Sequence, residues 1–179
     1  NVLADELLES ERTREEIERN DREVLAQVID TVPAFIMAAD QSGRCIFVND
    51  SQAQYSGGTP ADYVGHPITL LLRERAHRSL EQDREIFRTG KPIPGLEEEI
   101  TGYDGAKRTF ATVKTPLRDA SQAIVGVVTI STDITARKAA EERLTYMAHH
   151  DALTGLPNRV LLLERIRSEM QAARAAHQR

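Results

Sequence analysis

The hydrophobic positions at the start of the chain follow a helical period. Residues 5–32 contain neither Gly nor Pro, and apolar residues fall at three- and four-residue steps or their multiples. They are Leu3, Leu7, Ile17, Val24 and Val28. Ser10, Arg14 and Asp21 interrupt this stripe. The pattern predicts an amphipathic helix over 1–32 with an interrupted coiled-coil seam. A helix that only packs on its own domain is the alternative.

Short apolar runs and turn residues alternate in the middle of the chain. Residues 34–39 and 45–48 are apolar runs on either side of Asp-Gln-Ser-Gly, which predicts a hairpin. A helix-capping Asn49 follows, and a helical period then extends over residues 70–87. Three extended runs come next, at 96–101, 108–117 and 124–132. This order predicts an α+β fold, with a five-stranded antiparallel sheet and helices on one face.

Composition narrows the classes of protein. Acidic residues outnumber basic ones by 28 to 23, a balance that does not favour binding to nucleic acid. No apolar run is long enough to cross a membrane, so no membrane-spanning segment is expected within this chain. Cys45 is the only cysteine, which fits a reducing cytoplasm and no structural metal. The chain begins with Asn, so we expect it to come from a longer protein with an anchor possible upstream.

Five short segments together resemble a PAS domain. They are Gly43–Asn49, Tyr63–Pro67, Arg88–Pro92, Tyr103–Gly105 and Asp133–Thr135. The resemblance implies a second strand with its capping Asn, the ends of two helices, a strand turn and an output junction. It also implies a sensory role for residues 33–135.

Residues 150–159, His-Asp-Ala-Leu-Thr-Gly-Leu-Pro-Asn-Arg, closely resemble the start of GGDEF domains, which condense two GTP molecules into cyclic diguanylate. The signature loop and the metal-binding strand of that family do not occur in this chain. In the resemblance, Asp151, Asn158 and Arg159 therefore have structural and regulatory roles, and we expect no catalysis from the chain. Residues 136–150 would be a linker helix, and residues 151–179 the start of a GGDEF domain.

A hollow between the sheet and the helices is the natural ligand site of such a fold. Seven apolar residues are expected to line it, which would suit a small apolar ligand. They are Ile36, Cys45, Phe47, Leu72, Leu80, Phe110 and Val128.

Two cofactor alternatives remain open. A haem-binding PAS domain would use a His from the central helix, where His77 lies, but the neighbouring Arg75 and Arg78 favour an exposed position. A flavin adduct would need a Cys on a helix, whereas Cys45 belongs to the second strand, where a core role is expected.

The leading functional hypothesis is a homodimeric sensor that changes the geometry of its flanking helices and so controls cyclase domains downstream. At the junction, Asp133, Ile134 and Thr135 would connect the last strand to the outgoing helix, with the Thr135 hydroxyl as a cap. A dimerisation module without a ligand, or a haem or flavin redox sensor, is the alternative.

Overall fold

The computed structural model describes residues 19–20, 23–151 and 153–177. The chain forms two compact units, with the division between Asp133 and Ile134. In the first unit, α1 is helical over residues 23–31. The following elements are β1 (Phe35–Ala39), β2 (Cys45–Val48), α2 (Asp50–Tyr55), α3 (Pro60–Tyr63), α4 (Ile68–Leu72), a 3₁₀ turn (Arg73–Arg75), α5 (Ala76–Thr89), β3 (Ile93–Thr101), β4 (Lys107–Arg118) and β5 (Ile124–Asp133).

The five strands form one antiparallel sheet in the order β2-β1-β5-β4-β3. The hairpin β1–β2 and the meander β3–β4–β5 are therefore the connections that the sequence predicts. Antiparallel pairing places Met37 beside Thr129, and Thr129 beside Lys114. The predicted α+β class and five-stranded sheet are confirmed.

One face of the sheet carries the core. Phe35 and Phe110 lie on this face, and their rings pack against Tyr55 of α2 at centroid distances of 4.6 and 5.7 Å. Met37 of β1 is 2% exposed, and Ile86 of α5 is fully buried. This inner face, between the sheet and the helices, is where the hollow was expected.

The prediction for three of the seven lining residues is wrong. Ala38 pairs with Phe47 on one side and with Val128 on the other, so these side chains share the outer face of the sheet. Ile36 lies two residues before Ala38 and belongs to the same face. The runs around these positions are apolar on both faces, so hydrophobicity alone did not fix which residues point inward.

The predicted helix over 70–87 is interrupted. Helix α4 ends at Leu72, Arg73 adopts a left-handed φ of 51°, and a 3₁₀ turn precedes α5. No Gly or Pro marks this break in the sequence. The apolar period continues across it, which explains the prediction of a single helix.

Asn49 connects the first strand to the first short helix of the sheet domain. Its side-chain Oδ1 accepts hydrogen bonds from the Ile36 and Gln52 backbone N–H groups at 3.0 and 3.2 Å. Its Nδ2 donates to the Ala34 carbonyl at 2.9 Å. The predicted helix cap is confirmed, and the same side chain also closes the start of β1.

The flanking helix α1 shows part of the proposed dimer stripe. Val24 and Val28 are 49% and 57% exposed. Leu3, Leu7 and Ile17 lie outside the described residues.

The second unit contains α6 (Thr135–His149) and α7 (Arg159–His177). In the turn between them, Asp151 Oδ1 accepts from Leu153 N, Thr154 N and Thr154 Oγ1. Asn158 Oδ1 accepts from the Val160 and Leu161 N–H groups at the start of α7, and its Nδ2 donates to Ala148 O at 2.7 Å. Arg159 is the first residue of α7. None of the helices, over their described residues, is long and apolar enough to span a membrane.

Candidate ligand site

A cluster of polar side chains lies on the inner face of the sheet. Alternation along β4 and β5 brings four of them to the helix side, where each is at most 8% exposed. They are Thr112, Lys114, Thr129 and Ser131. Buried polar groups are costly unless they are hydrogen-bonded, so the partners of each group define what the cluster can do.

Lys114 forms a buried ion pair with helix α5. Its Nζ lies 2.6 Å from Asp83 Oδ1, and the two side chains are 3% and 6% exposed. The same ammonium group donates to Ser79 Oγ at 2.7 Å and is 3.4 Å from Ser79 O. Burial raises the pKa of Asp83, while the charge and hydrogen bond of Lys114 counteract this rise. The pair joins the sheet directly to the central helix.

A second set of hydrogen bonds runs across the strands. The Thr112 hydroxyl donates to Glu98 Oε1 of β3 at 3.0 Å. Because that proton is used, the Ser131 hydroxyl donates to Thr112 Oγ1 in their 2.8 Å contact. Three strands are thus linked by side chains on the face that α5 covers.

Thr129 differs from its neighbours. Its Oγ1 is buried and has no hydrogen-bond partner among the described residues. The side chain borders a cavity of about 30 Å³, which is also lined by Met37, Leu72, Ser79 and Arg75. A cavity of this volume has room for about two water molecules. The hydroxyl is therefore free to bind a small polar group there.

Arg75 lies between this cavity and a larger surface groove. The groove has a volume of about 380 Å³ and is also lined by Tyr55, Tyr103 and Arg73. Arg73 stacks over the Tyr103 ring at 5.4 Å. Burial lowers the pKa of the half-buried Arg75 guanidinium, and the charges of Glu98 and Tyr55 raise it. Arg75 and Leu72 border both spaces and so separate one from the other.

The remaining predicted lining residues belong mainly to the core. Cys45 and Phe110 are 1% and 0% exposed, Leu80 packs on the core cluster, and Leu72 alone of the seven borders the small cavity. The cavity wall is mostly polar, so the expected apolar lining is wrong. Its physical reason is the sheet register, which turns Thr, Ser and Lys residues inward.

The two residues considered for cofactors are placed as expected. The His77 side chain is 85% exposed and lies 3.6 Å from Glu81, so it does not face the interior. Cys45 is buried on β2, where burial raises the pKa of its thiol. Over the described part of the chain, no group of three His, Cys, Asp or Glu side chains could hold a metal ion.

Sequence reasoning missed Lys114, Asp83, Thr129 and Arg75. A signal for two of them is present. Asp83 occupies a position in the apolar stripe of α5, and Lys114 lies four residues after Phe110 on the same strand face. A charge of each sign at an inward position indicates a buried pair.

At the junction, Asp133 is the last residue of β5, and α6 begins at Thr135 with Ile134 as its N-cap. The prediction that Thr135 is the cap is therefore wrong by one residue. One residue, Ile134, separates the strand from the helix, whereas the predicted bounds left three residues between them.

Comparisons with known proteins agree with this fold. A family model described as "PAS fold" matches residues 29–139. The "Probable diguanylate cyclase DgcE" of Escherichia coli K12 is 24% identical over 161 residues, which cover 89% of this chain and 15% of that protein. A "Diguanylate cyclase" of Vibrio cholerae is 26% identical over 161 residues, or 79% of this chain and 48% of that protein.

Among solved structures, the PAS domain of Bordetella pertussis BvgS matches with a TM-score of 0.54 and 21% identity. The match covers 72% of this chain and 97% of that one. The chain thus spans under half the length of the two curated relatives and nearly all of an isolated PAS structure.

Proposed function

The chain belongs to the PAS fold family, and from this premise we propose that it is a sensory module of cyclic diguanylate signalling. In this proposal a small ligand binds at the polar cavity, and the change is passed to a cyclase domain downstream. The relatives named as diguanylate cyclases support the pathway. The resemblance of residues 150–159 to the start of a GGDEF domain supports the nature of the output.

One observation carries the sensing role. The buried polar cluster joins α5 to β4 and β5, and it contains a hydroxyl without a protein partner. Such a cluster is held in one arrangement only while its bonds are satisfied, so a ligand that bonds to it shifts the balance between arrangements. A core made only of apolar contacts would lack this sensitivity.

The relay is proposed to run through β5. This strand contributes Thr129 and Ser131 to the cluster and continues through Asp133 and Ile134 into α6. A displacement of the strand would then reach the first turn of the helix without an intervening loop. Asp133, Ile134 and Thr135 are the proposed signal junction.

A chimera tests the relay. Residues 1–158 are fused at the Asn158 turn to the cyclase domain of the Vibrio cholerae relative, and cyclic diguanylate formation is measured. Asp133→Ala and the double variant Lys114→Met/Asp83→Leu, which removes the buried pair without stranding a charge, are each expected to change the rate at least about threefold, while both proteins remain folded. Lys107→Met, an exposed change on β4, is the control and should leave the rate unchanged. Equal rates in all four proteins would contradict the relay.

The isolated chain is proposed to have no cyclase activity, because the family's metal-binding strand does not occur after Arg159. Purified chain with GTP and Mg²⁺ is expected to form no cyclic diguanylate. Turnover that copurifies with the chain would contradict this assignment.

A further inference from the structure

Two groups that border the small cavity have hydrogen-bond donors that are available to a ligand. Thr129 Oγ1 is buried and has no partner among the described residues. The Arg75 guanidinium carries five N–H donors, and within the described part of the chain it makes no hydrogen bond. The Thr129 hydroxyl is buried, where an unused donor is costly, whereas the half-buried Arg75 guanidinium is accessible to a ligand. Together they form an unfilled set of donors on one cavity.

The neighbouring Lys114 ammonium has no donor left for a ligand. The three ammonium hydrogens of Lys114 are directed to Asp83 Oδ1, Ser79 Oγ and Ser79 O. Thr112 donates to Glu98, and Ser131 donates to Thr112. A ligand would therefore bond to Thr129 and Arg75 without breaking the cluster.

The charges around the cavity favour an anion. Arg75, Arg78 and Lys114 border it, whereas the acids are Glu98 in its wall and Asp83 on Lys114. The formal count is three cations against two carboxylates, an excess of one positive charge that includes the exposed Arg78. A singly charged anion balances this excess, while a doubly charged phosphate would exceed it.

Given the sensing role proposed above, we propose that Arg75 and Thr129 bind the carboxylate of a short carboxylic acid of about two to four carbons. The guanidinium fork matches a carboxylate in a two-point contact, and the hydroxyl donates a further bond. Only the carboxylate group fits a cavity of about 30 Å³. The short carbon chain would extend past Arg75 into the groove beside Tyr55 and Tyr103.

Sodium acetate is the probe, and acetamide is its neutral counterpart of the same shape. A ligand of four heavy atoms binds no tighter than tens of micromolar, so the titration covers about 0.1–50 mM. At 50 mM, acetate is expected to raise the thermal midpoint by about 2–5 °C over the same concentration of NaCl. Acetamide should give no rise. Equal midpoints in acetate and NaCl would overturn the proposal.

Paired variants separate binding from general stabilisation by salt, which parent and variants share. Thr129→Val keeps the shape of the side chain and removes the unpartnered hydroxyl. It is expected to leave the midpoint without acetate unchanged or higher, and to abolish the acetate shift. Thr132→Val, on the outer face of the same strand, should retain the shift. A full acetate shift in Thr129→Val would overturn the proposal.

A matched pair of variants also tests the Arg75 guanidinium. Arg75→Gln is expected to lose the acetate shift, and Arg84→Gln, an exposed change on α5, is expected to keep it. A retained shift in Arg75→Gln would contradict the assignment of Arg75.

Native mass spectrometry of the purified chain distinguishes this inference from the proposed function. If acetate has no effect but the chain retains a neutral or cationic molecule that Thr129→Val loses, the ligand class is wrong and the sensing role is retained. If acetate binds as expected but does not change the rate of cyclic diguanylate formation by the chimera, the ligand class is correct and the proposed relay is wrong.

Discussion

At the scale of single residues, Asn49 contributes more than its place in the sequence indicates. It accepts from two backbone N–H groups and donates to one carbonyl, and it is 1% exposed. The cap of α2 and the start of β1 therefore depend on one amide. Buried backbone groups that lose such a partner keep their full cost of desolvation.

Asn49→Ala is accordingly expected to lower the free energy of unfolding by about 2–4 kcal/mol, since three buried backbone groups lose their partner. Urea denaturation followed by circular dichroism gives the value. Asn49→Asp keeps the acceptor for Ile36 and Gln52 but loses the donor to Ala34, so an intermediate loss is expected. A loss below about 0.5 kcal/mol in Asn49→Ala would show that the backbone finds other partners.

The Lys114–Asp83 pair gives a second prediction for single residues. Lys114→Met or Asp83→Leu alone strands a buried charge and is expected to cost about 3–5 kcal/mol. The double variant replaces the pair by apolar groups and should lie within about 1 kcal/mol of the parent. A double-mutant cycle from denaturation midpoints measures the coupling. Additive losses would show that the two charges do not depend on each other.

Asn49 could be predicted from the sequence, whereas the Lys114–Asp83 pair could not. Asn49 follows an apolar strand and precedes a helix, and local chemistry is enough to predict a cap. Lys114 and Asp83 are 31 residues apart, and each taken alone resembles a solvated charge. Only the register of β4 with β5 and the position of α5 show that they meet.

At the scale of elements, the turn after α6 depends on one carboxylate. Hydrogen bonding by the Thr154 hydroxyl, and then by the Thr154 and Leu153 backbone N–H groups, lowers the pKa of Asp151. A carboxyl group whose pKa is lowered in the folded state stabilises that state above its unfolded pKa. This stabilisation is lost as the pH falls through the folded pKa.

The turn is therefore expected to loosen only under acidic conditions, as the pH falls below the ordinary Asp value of about 3.8. The amide resonances of Leu153 and Thr154, followed by NMR between pH 6 and pH 2, report the change. Asp151→Asn keeps an oxygen acceptor without the titration, so those resonances should no longer follow pH in this range. An unchanged titration in the variant would show that another group governs the turn.

The strands show which elements sequence alone can predict. The number of strands, their order along the chain and their hairpin connections follow from apolar runs separated by turn residues. Which residues of a strand face inward could not be predicted in this way, because Ile36, Phe47 and Val128 belong to runs that are apolar on both faces. The break at Arg73 also cannot be seen in the sequence, because the residue with the positive φ is an Arg and not the Gly that usually marks such a position.

At the scale of the whole molecule, the same reasoning predicted a sheet domain with flanking helices but an apolar ligand site. The two conclusions rest on different physics. Chain order and length constrain the architecture. The character of the cavity depends on which alternate residues of β4 and β5 face α5. A polar cavity changes the expected ligand from a hydrophobic molecule to one that hydrogen-bonds.

A cyclase that joins two GTP molecules requires two output domains, so we propose a parallel homodimer through the stripe on the N-terminal helix. The stripe comprises Leu3, Leu7, Ile17, Val24 and Val28. Val24 and Val28, its two members on the described part of α1, are about half exposed. Exposed apolar residues at seam spacing are what a helical partner would cover.

Because polar residues interrupt the seam, a weak dimer is expected, with a dissociation constant on the order of tens of micromolar. Sedimentation equilibrium between about 5 and 200 μM should therefore show a monomer–dimer balance. Val28→Asp and Ile17→Asp place a charge in the seam and should shift the balance to monomer, whereas Glu18→Lys beside it should not. A chain that stays monomeric across this range, or dimers that persist in both Asp variants, would exclude this helix as the contact. In the second case the dimer would use another surface, such as the outer face of the sheet, where Val113 and Ile130 are 39% and 38% exposed.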